Sequence, residues 1–247
     1  MAIDLVSYEK KASKAVQAFW QTRDTAIAKQ RESGKQDQGE RGSVTAGKNM
    51  DGFVTLILDI VKANGLVNAD IHKRRAVLTL PGFFRPTKLW DLLVIHRGIL
   101  IAAIELKSQV GPSFGNNFNN RTEEAMGSAL DVWTAFREGV FKNSSPWLGY
   151  LMVLEDCRRS SSSVAIHSPH FNVMSEFENS SYIKRYEIFS RKLVLERQYN
   201  AACFITSRRC DAQTGDFTIP DEQLSFNAFL VSMLSAVFAY RASKGEV

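Results

Sequence analysis

WDLLVIHRGILIAAIELK, residues 90–107, sets two apolar runs on either side of His96-Arg97-Gly98 and finishes the second with a glutamate and a lysine. Short runs rich in Leu, Ile and Val with polar boundaries read as buried strands, and a tight polar connection between two of them reads as a hairpin. Antiparallel pairing returns Asp91, at the head of the first run, to the end of the sheet where Glu105 and Lys107 close the second, although thirteen residues separate the two acids. Because side chains alternate along a strand, Glu105 and Lys107 share one face and Leu106 takes the other. Charges at the end of IAAIEL are costly unless each finds a partner or a metal, so their convergence calls for a cause.

Working outward, Phe53, Leu56, Ile57, Ile60 and Val61 repeat at helical spacing upstream, with Asn64-Gly65 as the stop. Leu5, Tyr8, Ala12, Ala15 and Phe19 predict an earlier amphipathic helix, and AVLTL at 76–80 predicts a further strand. KQRESGKQDQGERG, residues 29–42, has too little apolar surface to order itself and is expected to be flexible. Downstream, SQVGPSFGNNFNN after Lys107 has loop chemistry, and a helix marked by Ala125, Ala129, Val132, Trp133 and Phe136 follows it, with Glu123 and Glu124 expected in its first turn. A strand at 147–154, a surface loop at 157–170, a helix at 182–195, a strand at 201–206 and a helix at 224–240 complete the pattern. The class is α/β: a mixed central sheet covered by helices on both faces, as one domain over 1–247.

Composition narrows the function. A net charge of +5 and pI near 9.1 suit an anionic partner, though 31 Lys and Arg against 26 Asp and Glu is a mild excess that permits nucleic-acid binding without requiring it. Cys157, Cys203 and Cys210 are odd in number and lack a C-x-x-C pair, so neither a disulfide framework nor a thiolate zinc site is indicated and a reducing cytoplasm fits best. The amino-terminal MAIDLVSYEKKASK lacks the plan of a signal peptide, and no long apolar run is expected to meet a membrane. GSVTAGK at 42–48 resembles a phosphate loop, but Asn49 stands where the hydroxyl residue belongs and no strand precedes it. His167 and His170 have no further ligand at zinc-like spacing, and no histidine falls in the charged constellation, so His-metal and serine-triad hydrolysis are set aside.

Asp91, Glu105 and Lys107 therefore carry the candidate chemistry. Carboxylate oxygens suit Mg²⁺, which keeps several waters and uses one or two protein acids together with substrate phosphate. Lys107 can orient an attacking water or offset charge growing on phosphorus. The plainer alternative is a surface hairpin bearing a Glu-Lys pair.

D-x(13)-E-L-K on neighbouring strands resembles the PD-(D/E)XK nuclease core, with Trp90 where that motif often has proline. FFRPTKLWDL at 83–92, AAIELKSQVGPSFGNNFNNRTEEAMG at 102–127 and GKNMDGF at 47–53 together resemble the XhoI family of type II restriction endonucleases. That resemblance implies a homodimer that uses Mg²⁺ to cut both strands of double-stranded DNA at CTCGAG, leaving 5′-phosphate ends with short 5′ extensions, and a functional pairing with a methyltransferase that protects host DNA. It implies that Asp91 and Glu105 hold the metal, that the Leu106 carbonyl completes its shell and that Lys107 assists the water. Many such nucleases add an acid from the preceding helix; Asp51 and Asp59 are the candidates, Asp51 favoured for its place at the helix start, with a plain dipole-answering acid as the alternative.

Asn and Gln pair bidentately with adenine, and Arg with guanine. Gln109, Asn116, Asn117, Asn119, Asn120 and Arg121 supply these groups just after the catalytic strand and are the expected DNA-reading residues, unless the asparagines merely cap the next helix. Lys73-Arg74-Arg75, Arg158-Arg159, Lys184-Arg185 and Arg208-Arg209 offer phosphate contacts or solvated faces. Two further readings stay open: a repair or recombination nuclease that recognises DNA structure, and a non-catalytic DNA-binding module.

Overall fold

Arg97 and Gly98 both adopt positive φ, 53° and 72°, the geometry of a two-residue hairpin turn whose twist matches its strands. They join β4 (Leu92–His96) to β5 (Ile99–Gln109), so His96 ends the first strand instead of entering the turn. This computed structural model describes residues 5, 7–32, 48–66, 70–72, 78–142 and 145–245. Most of the expected flexible segment at 29–42, the phosphate-loop-like stretch up to Gly47 and the Lys73-Arg74-Arg75 cluster lie outside the described residues.

The hairpin ladder contains a bulge. His96 pairs with Ile99 and Ile95 with Leu100, but Val94 pairs with Ala102, which leaves Ile101 without a partner on β4. The shift carries Leu92 opposite Ile104, and one step further Asp91 opposite Glu105. Without the extra residue, Asp91 would face Ile104 and its side chain would emerge on the other side of the sheet. Ile101 and Ala102 accordingly both bury in the same cluster, as consecutive residues at a bulge do.

The main sheet runs β1-β4-β5-β6-β7, with β1 (Asp70–His72) antiparallel to β4, and β6 (Trp147–Glu155) and β7 (Ala201–Ser207) parallel to β5. The parallel strands need crossovers, which are α3 (Phe114–Arg137) and α5 (Tyr182–Leu195), preceded by the short α4 (Arg158–Ser161). These crossover helices cover the face formed by Leu93, Ala103, Tyr150, Met152 and Phe204. Three other helices, α1 (Tyr8–Glu32), α2 (Asp51–Ala63) and α6 (Phe226–Ser243), cover the opposite face, formed by Leu92, Val94, Leu106, Leu151 and Ile205. The mixed sheet with helices on both faces agrees with the expected α/β class. A separate ribbon, β2 (Thr79–Pro81) paired with β3 (Thr87–Leu89), leads into β4.

Several boundaries differ from expectation. Residues 29–32 remain helical, because Lys, Gln, Arg and Glu are good helix formers that continue α1. The expected loop after Lys107 is shorter: Ser108 and Gln109 pair with Val153 and Leu154 of β6, and α3 starts at Phe114. Phe114 and Ala125 are buried on that helix, and Phe118 packs edge-on against Tyr186 and Phe189, which offsets the weak helix propensity of GNNFNN. Asn116 to Arg121 are therefore helical, and Glu123 and Glu124 lie beyond the first turn. The ribbon strand β3 and the edge strand β1 carry too few apolar residues to announce themselves.

The sequence reading expected no apolar stretch of membrane-spanning length, yet α6 is long and apolar enough by length and composition to cross a membrane, with mean hydropathy 1.2. Phe226, Phe229, Leu230, Met233, Leu234 and Val237 bury its inner side in the core. The apolar stripe of α1, with Ala12, Ala15, Val16, Phe19 and Trp20, is likewise core. Cys157, Cys203 and Cys210 are unpaired.

Candidate active site

Asp91, Glu105 and Lys107 meet where β4 begins, at the point from which β5 continues alone against β6. The backbone N–H of Leu106 donates to Asp91 Oδ2 at 2.8 Å, so the acid takes the ladder position that a backbone carbonyl would have filled. In an extended strand the N–H and C=O of one residue point to the same side, so the Leu106 carbonyl opens toward Asp91. Lys107 Nζ lies 2.9 Å from Glu105 Oε2, 3.7 Å from Asp91 Oδ2 and 4.0 Å from Glu124 Oε2.

The electrostatics separate the two acids. Burial and the Glu105 charge push the Asp91 carboxyl up to about 6, against the opposing pull of Lys107 and the Leu106 N–H. Burial also works against ionisation of Glu105, but Lys107 and Lys88 outweigh it and hold that carboxyl well below its usual range. Burial opposes the charge of Lys107 too, yet Glu105 and Asp91 raise its pKa, so it stays an ammonium.

A divalent cation fits this arrangement. Glu105 Oε2 is buried, with Lys107 Nζ at 2.9 Å as its charged neighbour, and burial with the Glu105 charge raises the Asp91 pKa even though Lys107 lies 3.7 Å away. Among the described residues no group of three or more His, Cys, Asp or Glu is placed to hold an ion. Two carboxylates are hard oxygen donors of the kind a divalent cation takes while keeping several waters.

Asp51 does not join Asp91 and Glu105. It is exposed at the start of α2, on the layer behind the sheet, and lines a groove with Lys11, Lys14, Gly52, Thr55 and Asp59. From that region it is Asn49 that reaches β5, its side-chain amide donating to Ser108 Oγ at 2.9 Å. Two groups at the site escaped the sequence reading. Lys88, on β3, contacts Glu105 Oε1 and sits 4.5 Å above the Trp90 ring. Glu124, expected only to answer a helix dipole, pairs with Arg121 at 2.7 Å and faces Lys107. The alternation of Lys88 and Trp90 ahead of Asp91, and the Arg121-Glu124 spacing of three on a helix, were the available signals.

The expected DNA-reading residues divide. Gln109 is 3% exposed, takes a hydrogen bond from the Tyr186 hydroxyl and donates to the Ser113 carbonyl at 3.4 Å, so its amide braces α5 against β5 instead of facing outward. Asn116, Asn119 and Asn120 are exposed on α3, Asn117 is half-buried, and Arg121 is turned toward Glu124. Among the basic clusters, Lys184 pairs with Glu187, Arg185 donates to the Ser180 hydroxyl and Val164 carbonyl, Arg208 pairs with Asp211 and Arg209 with Asp24. Arg158 and Arg159 are exposed on α4, and Arg159 shares a groove with Asn116 and Tyr182.

A family model described as restriction endonuclease XhoI matches residues 29–219. The chain is 61% identical over 172 residues to the type II restriction enzyme AbrI of Azospirillum brasilense, covering 69% of this chain and 77% of that protein. It is 51% identical over 211 residues to the type II restriction enzyme BstVI of Geobacillus stearothermophilus, covering 83% and 93%. Against the type II restriction enzyme XhoI of Xanthomonas vasicola it is 50% identical over 198 residues, 79% of each chain. No solved structure matches. With the matched segment enclosing the whole carboxylate-lysine cluster, the chain belongs to the XhoI family of type II restriction endonucleases and is a site-specific deoxyribonuclease.

Proposed function

We propose that this enzyme hydrolyses both strands of double-stranded DNA at the palindrome CTCGAG, with Mg²⁺ at Asp91, Glu105 and the Leu106 carbonyl, leaving 5′-phosphate ends with 5′ extensions. The observation that carries the reading is the meeting of two carboxylates around one ammonium at the open end of a strand ladder. When bound there, the cation lowers the pKa of a water and offsets charge on the phosphate. Asp91 and Glu105 hold it, and their own repulsion is relieved in doing so. Lys107, kept cationic by its acid neighbours, orients the attacking water and opposes the charge that grows on phosphorus. Glu124 steadies Lys107 from α3.

Both strands of a palindrome are served by a two-fold homodimer with one site per strand, and a cytoplasmic setting with a protecting methyltransferase fits such a nuclease. The inner apolar stripes of α1 and α6 are used within the core. The experiment is sequencing of the ends made from a long DNA with Mg²⁺: breaks confined to CTCGAG are expected, whereas breaks at junctions or flaps, or DNA binding without breaks, would replace this reading with another.

The exposed polar side of α3 is the proposed base-reading surface, with Asn116, Asn119 and Asn120 as its outward groups and Arg121 beside the scissile phosphate. Asn119→Ala with Arg121→Ala is expected to lower kcat/KM at the preferred site by about 10²-fold or more and to narrow the preference over one-base variants, since a bidentate base contact contributes about 1–3 kcal/mol of discrimination. Unchanged kcat/KM on both kinds of site removes these residues from the interface. For Arg158→Ala with Arg159→Ala, the logarithm of affinity plotted against that of salt should lose about one to two units of slope, as expected for one or two phosphate contacts. An unchanged slope assigns the pair to solvent.

A further inference from the structure

Glu105 has an ammonium on each oxygen. Lys107 faces Oε2, and Lys88 faces Oε1 from the separate β2-β3 ribbon. The two lysines are not equivalent. Lys107 is embedded in the main sheet and has Asp91 and Glu124 as further acid neighbours. Lys88 pairs, among the described residues, with Glu105 alone, and its remaining contacts are the Leu89 carbonyl at 2.9 Å and the face of Trp90 at 4.5 Å. Its ammonium lies over the buried indole and its side chain is only 11% exposed, yet the ribbon that carries it is paired to no strand of the main sheet.

Glu105 Oε1 is also an oxygen that a metal ligand must offer. A lysine ammonium and a divalent cation cannot share it without strong like-charge repulsion in a buried setting. Lys88 must then find another anion within reach of a flexible four-carbon stem, and the group that a nuclease brings to this place is a phosphate. Resting on the nuclease reading above, we propose that Lys88 is a second active-site lysine, which sits on Glu105 until DNA arrives and then moves to a non-bridging oxygen of the scissile phosphate. Before that exchange it competes for Glu105 and keeps metal affinity low; afterwards it adds positive charge where the transition state needs it. Metal and DNA then favour each other's binding, as reciprocal linkage demands.

The test uses the full chain carrying Lys88→Met, which keeps an unbranched apolar side chain beside Trp90 without the charge, with Lys88→Arg as the charge-retaining comparison and Lys88→Gln in its place should the methionine variant fail to fold by circular dichroism. Free Mn²⁺ measured by electron paramagnetic resonance without DNA should reveal about tenfold tighter binding by Lys88→Met, because one competing charge is removed. Single-turnover cleavage with saturating Mg²⁺ should fall by about 10²-fold or more, with Lys88→Arg closer to wild type. DNA binding in Ca²⁺ should lose about one unit of salt slope. Unchanged Mn²⁺ affinity, or cleavage within twofold of wild type, overturns the proposal. If wild type makes no Mg²⁺-dependent cut, it is the nuclease reading that fails, and the Mn²⁺ comparison still reports separately whether Lys88 competes for Glu105.

Discussion

Glu105→Gln is expected to reduce Mg²⁺-dependent cleavage by about 10³-fold or more while leaving DNA binding intact, the largest catalytic effect of any single change at this site. The side chain is 2% exposed and faces two ammoniums, so the substitution keeps the shape and removes the charge that both lysines neutralise. An amide oxygen is a poor substitute for a carboxylate toward a hard cation, and the amide nitrogen would turn a donor toward one of the lysines. The net local charge becomes more positive, so affinity for DNA without metal should hold or rise. Filter binding in EDTA beside single-turnover cleavage in Mg²⁺ checks both halves. A variant that cuts within tenfold of wild type would remove Glu105 from the metal site, and one that neither cuts nor binds would mark it as structural.

Asp131→Ala is expected to have the largest effect on stability. This residue of α3 is buried, and one carboxylate oxygen accepts the backbone N–H groups of Phe83 at 2.7 Å, Phe84 at 2.8 Å and Arg85 at 3.3 Å, while the other takes Arg85 Nε at 2.7 Å. It clasps the tip of the β2-β3 ribbon so closely that a Cβ at Gly82 would come within 2.5 Å of the carboxylate. Removing the acceptor strands several donors at once. Because Arg85 is about half exposed, the pair itself adds little, and the loss should come to about 3 kcal/mol, mainly from the backbone groups. For a chain of this length that corresponds to a fall of roughly 6–12 °C in Tm. A drop under 2 °C would mean the clasp is dispensable.

The same carboxylate gives a pH signature. Burial opposes its ionisation, but Arg85 and the three N–H groups prevail and hold its pKa below the ordinary value of 3.8. A lowered folded value means stability that is fully present above the unfolded pKa and is lost as pH falls from about 3.8 through the folded value. Asp131→Asn should therefore flatten the dependence of Tm on pH below about 4 relative to wild type, which scans across that window can read.

The α/β class and the order of the main helices and strands were legible in residues 90–107 and the periodicity around them, as was the shared face of Glu105 and Lys107. Such features rest on local alternation, and a buried strand or an amphipathic helix declares itself within a few residues. Lys88 and Glu124 gave only faint signals, for a different reason. One sits on a short ribbon strand with a single half-buried position, and the other in a helix whose first turns look like a loop until Phe114 and Phe118 find their core partners. Gln109 was misread because an exposed amide and a buried brace have the same letters. Its surroundings depend on α5, more than seventy residues away.

By itself, the amino-acid chain determined that an acid would head one strand and that Glu105 and Lys107 would share a face of the next, since alternation is a property of any extended backbone. Whether Asp91 would join them was decided only in three dimensions. An unbroken ladder from the Arg97-Gly98 turn would have sent it to the far side, and the unpaired Ile101 restores it opposite Glu105. Register is a relation between two strands packed on a core, so no single strand contains it.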